Sequence, residues 1–163
     1  MRKLIGSVLA LVCSMGFASS ASSAPLTFRA TLTTAQEVPS PDTVARGSAT
    51  FRFDPGLSVM RYELRVANGV AVTQAHLHCA SSGVNGPVVV FLFGPANPGE
   101  NVTGLLASGA IGNADVIATS GDPCNATLNN VASLYQAILD GRVYVNVHTQ
   151  ANPGGEIRSQ LFP

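Results

Sequence analysis

Ser48-Ala49-Thr50-Phe51-Arg52-Phe53-Asp54-Pro55-Gly56, continued by the run from Ser58 to Val66, decides how the chain folds. In the first part Ala49, Phe51 and Phe53 alternate with Ser48, Thr50 and Arg52, the period-two pattern of a strand with one buried face. Asp54-Pro55-Gly56 then predicts a turn, because proline presets φ and glycine permits positive φ. Beyond it Met60, Tyr62, Leu64 and Val66 form an apolar face, with Arg61, Glu63 and Arg65 on the other. Ser58 shares parity with Met60, so the apolar face begins only at Met60. Two alternating runs around a tight turn make a β-hairpin.

The same pattern extends both ways from the hairpin. Leu26, Phe28, Ala30 and Leu32 alternate with Thr27, Arg29, Thr31 and Thr33. Ala67-Asn68-Gly69 reads as the next turn, and further strands are expected at Val72–Cys79, Pro87–Phe93, Val102–Ile111, Arg142–His148 and Glu156–Leu161. Asn97-Pro98-Gly99 and Asn152-Pro153-Gly154-Gly155 are strong turn signals. One segment departs from alternation. Val131, Leu134, Tyr135, Ile138 and Leu139 recur at helical spacing, with Asn129 or Asn130 placed to cap the start and Gly141 to stop the end. That predicts one short helix over Asn130–Asp140, its apolar stripe packed on the core. Short strands separated by Gly, Pro and Asn turns predict an all-β, antiparallel β-sandwich with a single helix.

The 163 residues divide into a leader and one domain. Arg2 and Lys3, the apolar run Leu4–Val12 and the small-residue stretch Ala18–Ala24 follow the layout of a secretory signal peptide. The apolar run is too short for a membrane span of about 20 residues. Cleavage is expected between Ala18 and Ala24, although Pro25 disfavours a cut directly after Ala24. Cys13 follows Val12, where a lipid-attachment site wants a small residue, so an anchor is set aside. Residues 25–163 then form a single domain, with no linker-like stretch and no internal repeat. Without Arg2 and Lys3 the chain keeps seven Arg, no Lys and nine acidic residues, a slight negative excess. No basic patch with interleaved aromatics is present, which excludes nucleic acid as a partner. Cys79 and Cys124 remain after export, and one disulfide is the expected state in an oxidising compartment. Thiolate metal ligation or a reactive thiol is the rival reading.

Ordered motifs along the domain match a known family. Ala35-Gln36-Glu37-Val38-Pro39, Gly47-Ser48-Ala49-Thr50-Phe51, Ala75-His76-Leu77-His78 and Gly83-Val84-Asn85-Gly86-Pro87 come first. Leu134 to Leu139, Tyr144-Val145-Asn146-Val147-His148-Thr149 and the run Asn152 to Leu161 follow. This series resembles the CHRD (chordin-type) domain over almost the whole chain after the leader. One departure is Ser159, where such domains usually carry glycine before the final Gln-Leu. The resemblance implies a β-sandwich of immunoglobulin-like or superoxide-dismutase-like architecture and a secreted or periplasmic location. It implies no agreed enzymatic activity. In chordin, ligand binding is credited mainly to separate cysteine-rich modules, so a growth-factor role does not carry over.

The candidate site is built on histidine. His76, His78 and His148 are the three in the sequence. Strand parity puts His76 and His78 on one face, with Leu77 on the other. In the strand ending at His148, Val145 and Val147 take the apolar face and His148 shares the opposite one with Asn146 and Tyr144. If the two strands are neighbours, three imidazoles converge, a donor set that suits zinc or copper. The competing reading has them bonding backbone to hold loops. Glu156 and Arg158 share a strand face at positions matching the family. They are expected as a structural ion pair or a clamp on the Asn152–Gly155 loop, with Glu156 also a candidate for orienting a histidine, and Asn146 is counted with them as a supporting or structural residue. Copper/zinc superoxide dismutase also uses a His-x-His pair, but its dinuclear site needs more than three histidines. No Gly-x-Ser-x-Gly elbow is present. Asn101-Val102-Thr103 and Asn125-Ala126-Thr127 fit the glycosylation sequon. The leading expectation is a non-enzymatic binding or structural module whose ligand is a protein, a metal or a small molecule. The alternative is a mononuclear copper or zinc protein with redox or hydrolytic activity at the three histidines.

Overall fold

A computed structural model describes Ala24 and residues 26–163. The expected leader lies outside these residues. Seven antiparallel strands and one α-helix form the architecture: β1 (Thr27–Leu32), β2 (Arg46–Phe53), β3 (Val59–Cys79), β4 (Val88–Phe93), β5 (Glu100–Gly112), α1 (Val131–Leu139), β6 (Val143–Thr149) and β7 (Ile157–Gln160). The fold is all-β with a single α-helix among the described residues, as the alternation implies.

β3 organises everything else. Its first half lies between β2 and β5, and its second half between β6 and β4. One long strand therefore belongs to two four-stranded halves, β1-β2-β3-β5 and β7-β6-β3-β4. Bridges from Arg29 to Phe162 and from Thr33 to Arg158 stitch β1 to the C-terminal segment. The sheet is thus nearly closed into a barrel on that side. Phe28, Phe51, Met60 and Leu64 from one half meet Leu77, Val145, Val147 and Ile157 from the other in a continuous apolar core.

Three details differ from the sequence reading. First, Ala67-Asn68-Gly69 does not reverse the chain. Asn68 and Ala71 adopt positive φ (57° and 49°), and the register with β5 shifts between Val66 and Gly69 and again before Val72. The segment is an irregularity within β3, and it moves the core face from even positions (Met60, Leu64, Val66) to odd ones (Ala75, Leu77, Cys79). Without that slip His76 and His78 would face the apolar core. Second, the positive φ of the β2–β3 turn falls on Leu57 (51°) rather than Gly56. The Asp54 carboxylate accepts bonds from the backbone N–H groups of Gly56, Ser58 and Val59 and so holds the turn. Third, Leu139 is 37% exposed, and Ala137 takes its place against the core.

The helix otherwise forms as its ends dictate. Asn130 accepts from the Ser133 N–H at 2.8 Å, while the Ser133 hydroxyl accepts from the Asn130 N–H, a reciprocal cap. Gly141 follows at φ +68°, which suits a residue without Cβ just past the helix. Tyr135 places its ring edge-on to Phe28 and Phe53 and ties α1 to the core. Cys79 and Cys124 form a disulfide between buried residues, which joins the end of β3 to the segment leading into the helix.

Candidate metal centre

β3 and β6 are adjacent, with His76 opposite Asn146, His78 opposite Tyr144 and Gln74 opposite His148. Leu77, Val145 and Val147 enter the core, so the polar side chains of these two strands share the outer face. β7 extends that face, pairing Arg158 with Asn146 and Gln160 with Tyr144. Such a face would ordinarily meet water, yet every residue of β6 and β7 is buried. Loops cover it. Gln36 accepts from the Gln160 backbone N–H, Asn85 donates to the Val38 carbonyl, and Arg158 donates to the Asn85 side chain at 2.8 Å.

Under this cover the three histidines converge. His76, His78 and His148 are only 5–8% exposed, and one ring nitrogen from each lies within 4.8 Å of the other two. His76 Nδ1 is 3.2 Å from His148 Nε2. Two nitrogens bound to one tetrahedral zinc at 2.0–2.1 Å stand roughly 3.3 Å apart. That separation is also hydrogen-bond distance: His76 Nδ1–H can donate to His148 Nε2, and an ion shared by these two nitrogens would take the place of that proton.

Backbone carbonyls set the ring orientations. His78 Nδ1 lies 2.9 Å from the Gly86 carbonyl, and His148 Nδ1 lies 3.0 Å from the Pro153 carbonyl. A carbonyl only accepts, so both Nδ1 atoms carry the proton and both Nε2 atoms keep a bare lone pair. Anchoring one ring nitrogen to leave the other free is the usual outer support of a metal-binding histidine. Gly86 is required for it: a Cβ there would collide with the Cys79 carbonyl and lift the loop from β3. The His78 ring also stacks on Tyr144 at 5.0 Å, and the Arg158 guanidinium sits 4.6 Å from the Tyr144 ring.

The electrostatics keep the rings neutral. Burial, then the neighbouring His148 and His78, lowers the pKa of His76 to about 4. Burial likewise lowers His78 to about 4 against the opposing Gly86 bond, and it lowers His148 against the Pro153 bond. Neutral imidazole is the ligating form.

Glu156 and Arg158 are both buried, at 6% and 1% exposure, and the only ion pair among the described residues is the exposed Arg65–Glu63. The expected pair between them does not form. Glu156 instead clamps the Asn152–Gly155 loop, accepting from Thr149 Oγ1 at 2.8 Å and Asn152 Nδ2 at 2.6 Å. Burial pushes its carboxyl up, but bonds from Thr43, Asn152 and Thr149 outweigh this and hold it below the usual value. No bond joins Glu156 to a ring. It steadies the loop whose Pro153 carbonyl orients His148.

Sequence reasoning passed over Glu37, although its motif Ala35–Pro39 stood out. Its carboxyl is 6% exposed and accepts from Asn146 Nδ2 at 3.4 Å. Burial is the largest influence on it and carries its pKa up to about 7, against the pull of Arg158 and Asn146. Gly155 leaves the space for it, since a Cβ there would strike the carboxylate.

The fold and site together define a class: an antiparallel β-sheet module whose outer face holds a buried polar layer around three histidines. Within that class the CHRD domain matches residues 28–161, nearly the whole chain, and the protein belongs to the CHRD domain family. No curated protein and no solved structure matches the chain.

Proposed function

We propose that this CHRD domain is a binding module that holds one zinc or copper ion at His76, His78 and His148. One observation carries the reading. Four buried side-chain atoms among the described residues lack any partner: His76 Nε2, His78 Nε2, Glu37 Oε1 and Asn146 Oδ1. Two are ring nitrogens of the cluster, Asn146 stands opposite His76, and Glu37 bonds Asn146. Leaving a buried polar atom unpaired costs about 1–3 kcal/mol. Such a concentration in one place supports a missing occupant, and neutral imidazoles, with Nε2 bare on His78 and His148, suit a borderline transition metal. The closed cover favours holding an ion over turning over a substrate.

The disulfide supports the exported location that the leader motif implies, since such bonds persist in oxidising compartments. No helix among the described residues is long and apolar enough to cross a membrane. Metal analysis of natively exported protein tests the function directly. One zinc or copper per chain is expected, with His76→Ala and His148→Ala each lowering affinity at least 100-fold while circular dichroism stays unchanged. Wild-type protein that takes up neither ion at stoichiometric level would overturn the reading.

A further inference from the structure

Three histidines leave a four-coordinate ion one ligand short. Asn146 is placed to supply it. It pairs with His76 across the β3–β6 ladder, so the two side chains rise from the sheet side by side. It is 2% exposed, between Tyr144 and His148 on its own strand. Its amide is held at one end, where Nδ2 donates to Glu37 Oε2. In its ionised form Glu37 accepts and does not donate, which turns the amide nitrogen toward it and the oxygen away. That oxygen, Oδ1, is buried and has no partner. An amide oxygen with free lone pairs is a competent metal ligand, and this one is shielded from bulk solvent.

Resting on the three-histidine reading, we propose that Asn146 Oδ1 is the fourth ligand, making a closed His₃Asn centre, with Glu37 as the positioning residue that aims the amide. A closed four-ligand shell is the arrangement of a structural zinc site, whereas a catalytic one keeps a position for water or substrate. The donor set of three imidazoles and a neutral oxygen, with no thiolate or thioether, suits zinc or copper. The site therefore retains an ion and admits no small molecule to it.

Cobalt substitution reads this out. Full-length exported protein is stripped with a chelator, loaded with Co²⁺, and its visible ligand-field bands are recorded with and without azide. Zinc affinity is measured in parallel by competition with a chromophoric chelator. Wild type should bind one Co²⁺ and show no new band with azide. Asn146→Ala should bind zinc about tenfold more weakly, shift the cobalt bands, and gain an azide charge-transfer band as the fourth position opens. Asn146→Asp preserves shape should the alanine variant fold poorly; it should keep the site closed to azide while shifting the bands. Cobalt spectra and azide response identical to wild type in both variants would overturn the fourth-ligand assignment and leave the three-histidine centre intact. A wild-type protein that binds azide would overturn it too. Failure of wild type to bind any ion would remove the centre itself.

Discussion

Glu37 shows how one side chain sets a condition on the whole site. Its carboxyl lies beneath Gly155, bonded through one oxygen to Asn146 while the other has no partner. Burial raises its pKa from 4.5 to about 7, with Glu156 adding to the rise while Arg158 and Asn146 oppose it. A raised carboxyl pKa means that the folded protein holds this proton more tightly than the unfolded chain. The stability it contributes is complete below pH 4.5 and is lost as pH rises through about 7. Glu37→Gln keeps the shape and removes the charge. In metal-free protein the stability difference between variant and wild type should be flat below pH 4.5, grow in the variant's favour up to about 7, and level off above it. Urea unfolding across that range measures it, and a difference independent of pH would show that Glu37 is not held protonated.

At the scale of the element, β3 decides where chemistry is placed. Its end is tied by the bond from Cys79 to Cys124, 45 residues on. Closing a loop of that length restricts the unfolded chain by an amount worth about 4 kcal/mol in the entropic account. Because Cys79 directly follows His78, the double variant Cys79→Ser/Cys124→Ser should lose about 2–4 kcal/mol of stability and also bind zinc more weakly. Chemical unfolding and chelator competition check the two parts, and unchanged stability would mean that the bond constrains little. The strands themselves were legible in the sequence because alternation reports burial on one face, and parity alone put His76 and His78 together. The irregularity around Asn68 was not. Ala-Asn-Gly is turn chemistry, and only pairing on both sides of β3 keeps the chain running straight through it. The contact of Glu37 with Asn146 was equally hidden, since it spans 109 residues and depends on a loop folding back over the sheet. Arg158 misled for a related reason. It was expected to pair with Glu156 or clamp a loop, yet its guanidinium is satisfied under the cover by Asn85 and the Tyr144 ring.

For the whole molecule, the decisive fact is that this sheet is buried on both faces where β6 and β7 cross it. The inner face is apolar, whereas the outer face holds three neutral histidines whose charging burial opposes, with Arg158 adding to the effect at His78. A histidine pKa depressed from 6.5 to about 4 means that the unfolded chain binds protons more readily than the folded one. The stability gained from neutral rings is therefore complete above pH 6.5 and lost as pH falls toward 4. Glu37 acts with the opposite sign over part of that window, so the histidine effect is cleanest in the Glu37→Gln background. There, metal-free protein should lower its urea midpoint steadily between pH 6.5 and 4. Saturating zinc should raise the midpoint at pH 7, and the zinc-bound curve should fall more steeply on acidification, because protons and metal compete for the same nitrogens. A zinc increment that stays constant down to pH 4 would mean that the ion is held by groups other than these imidazoles.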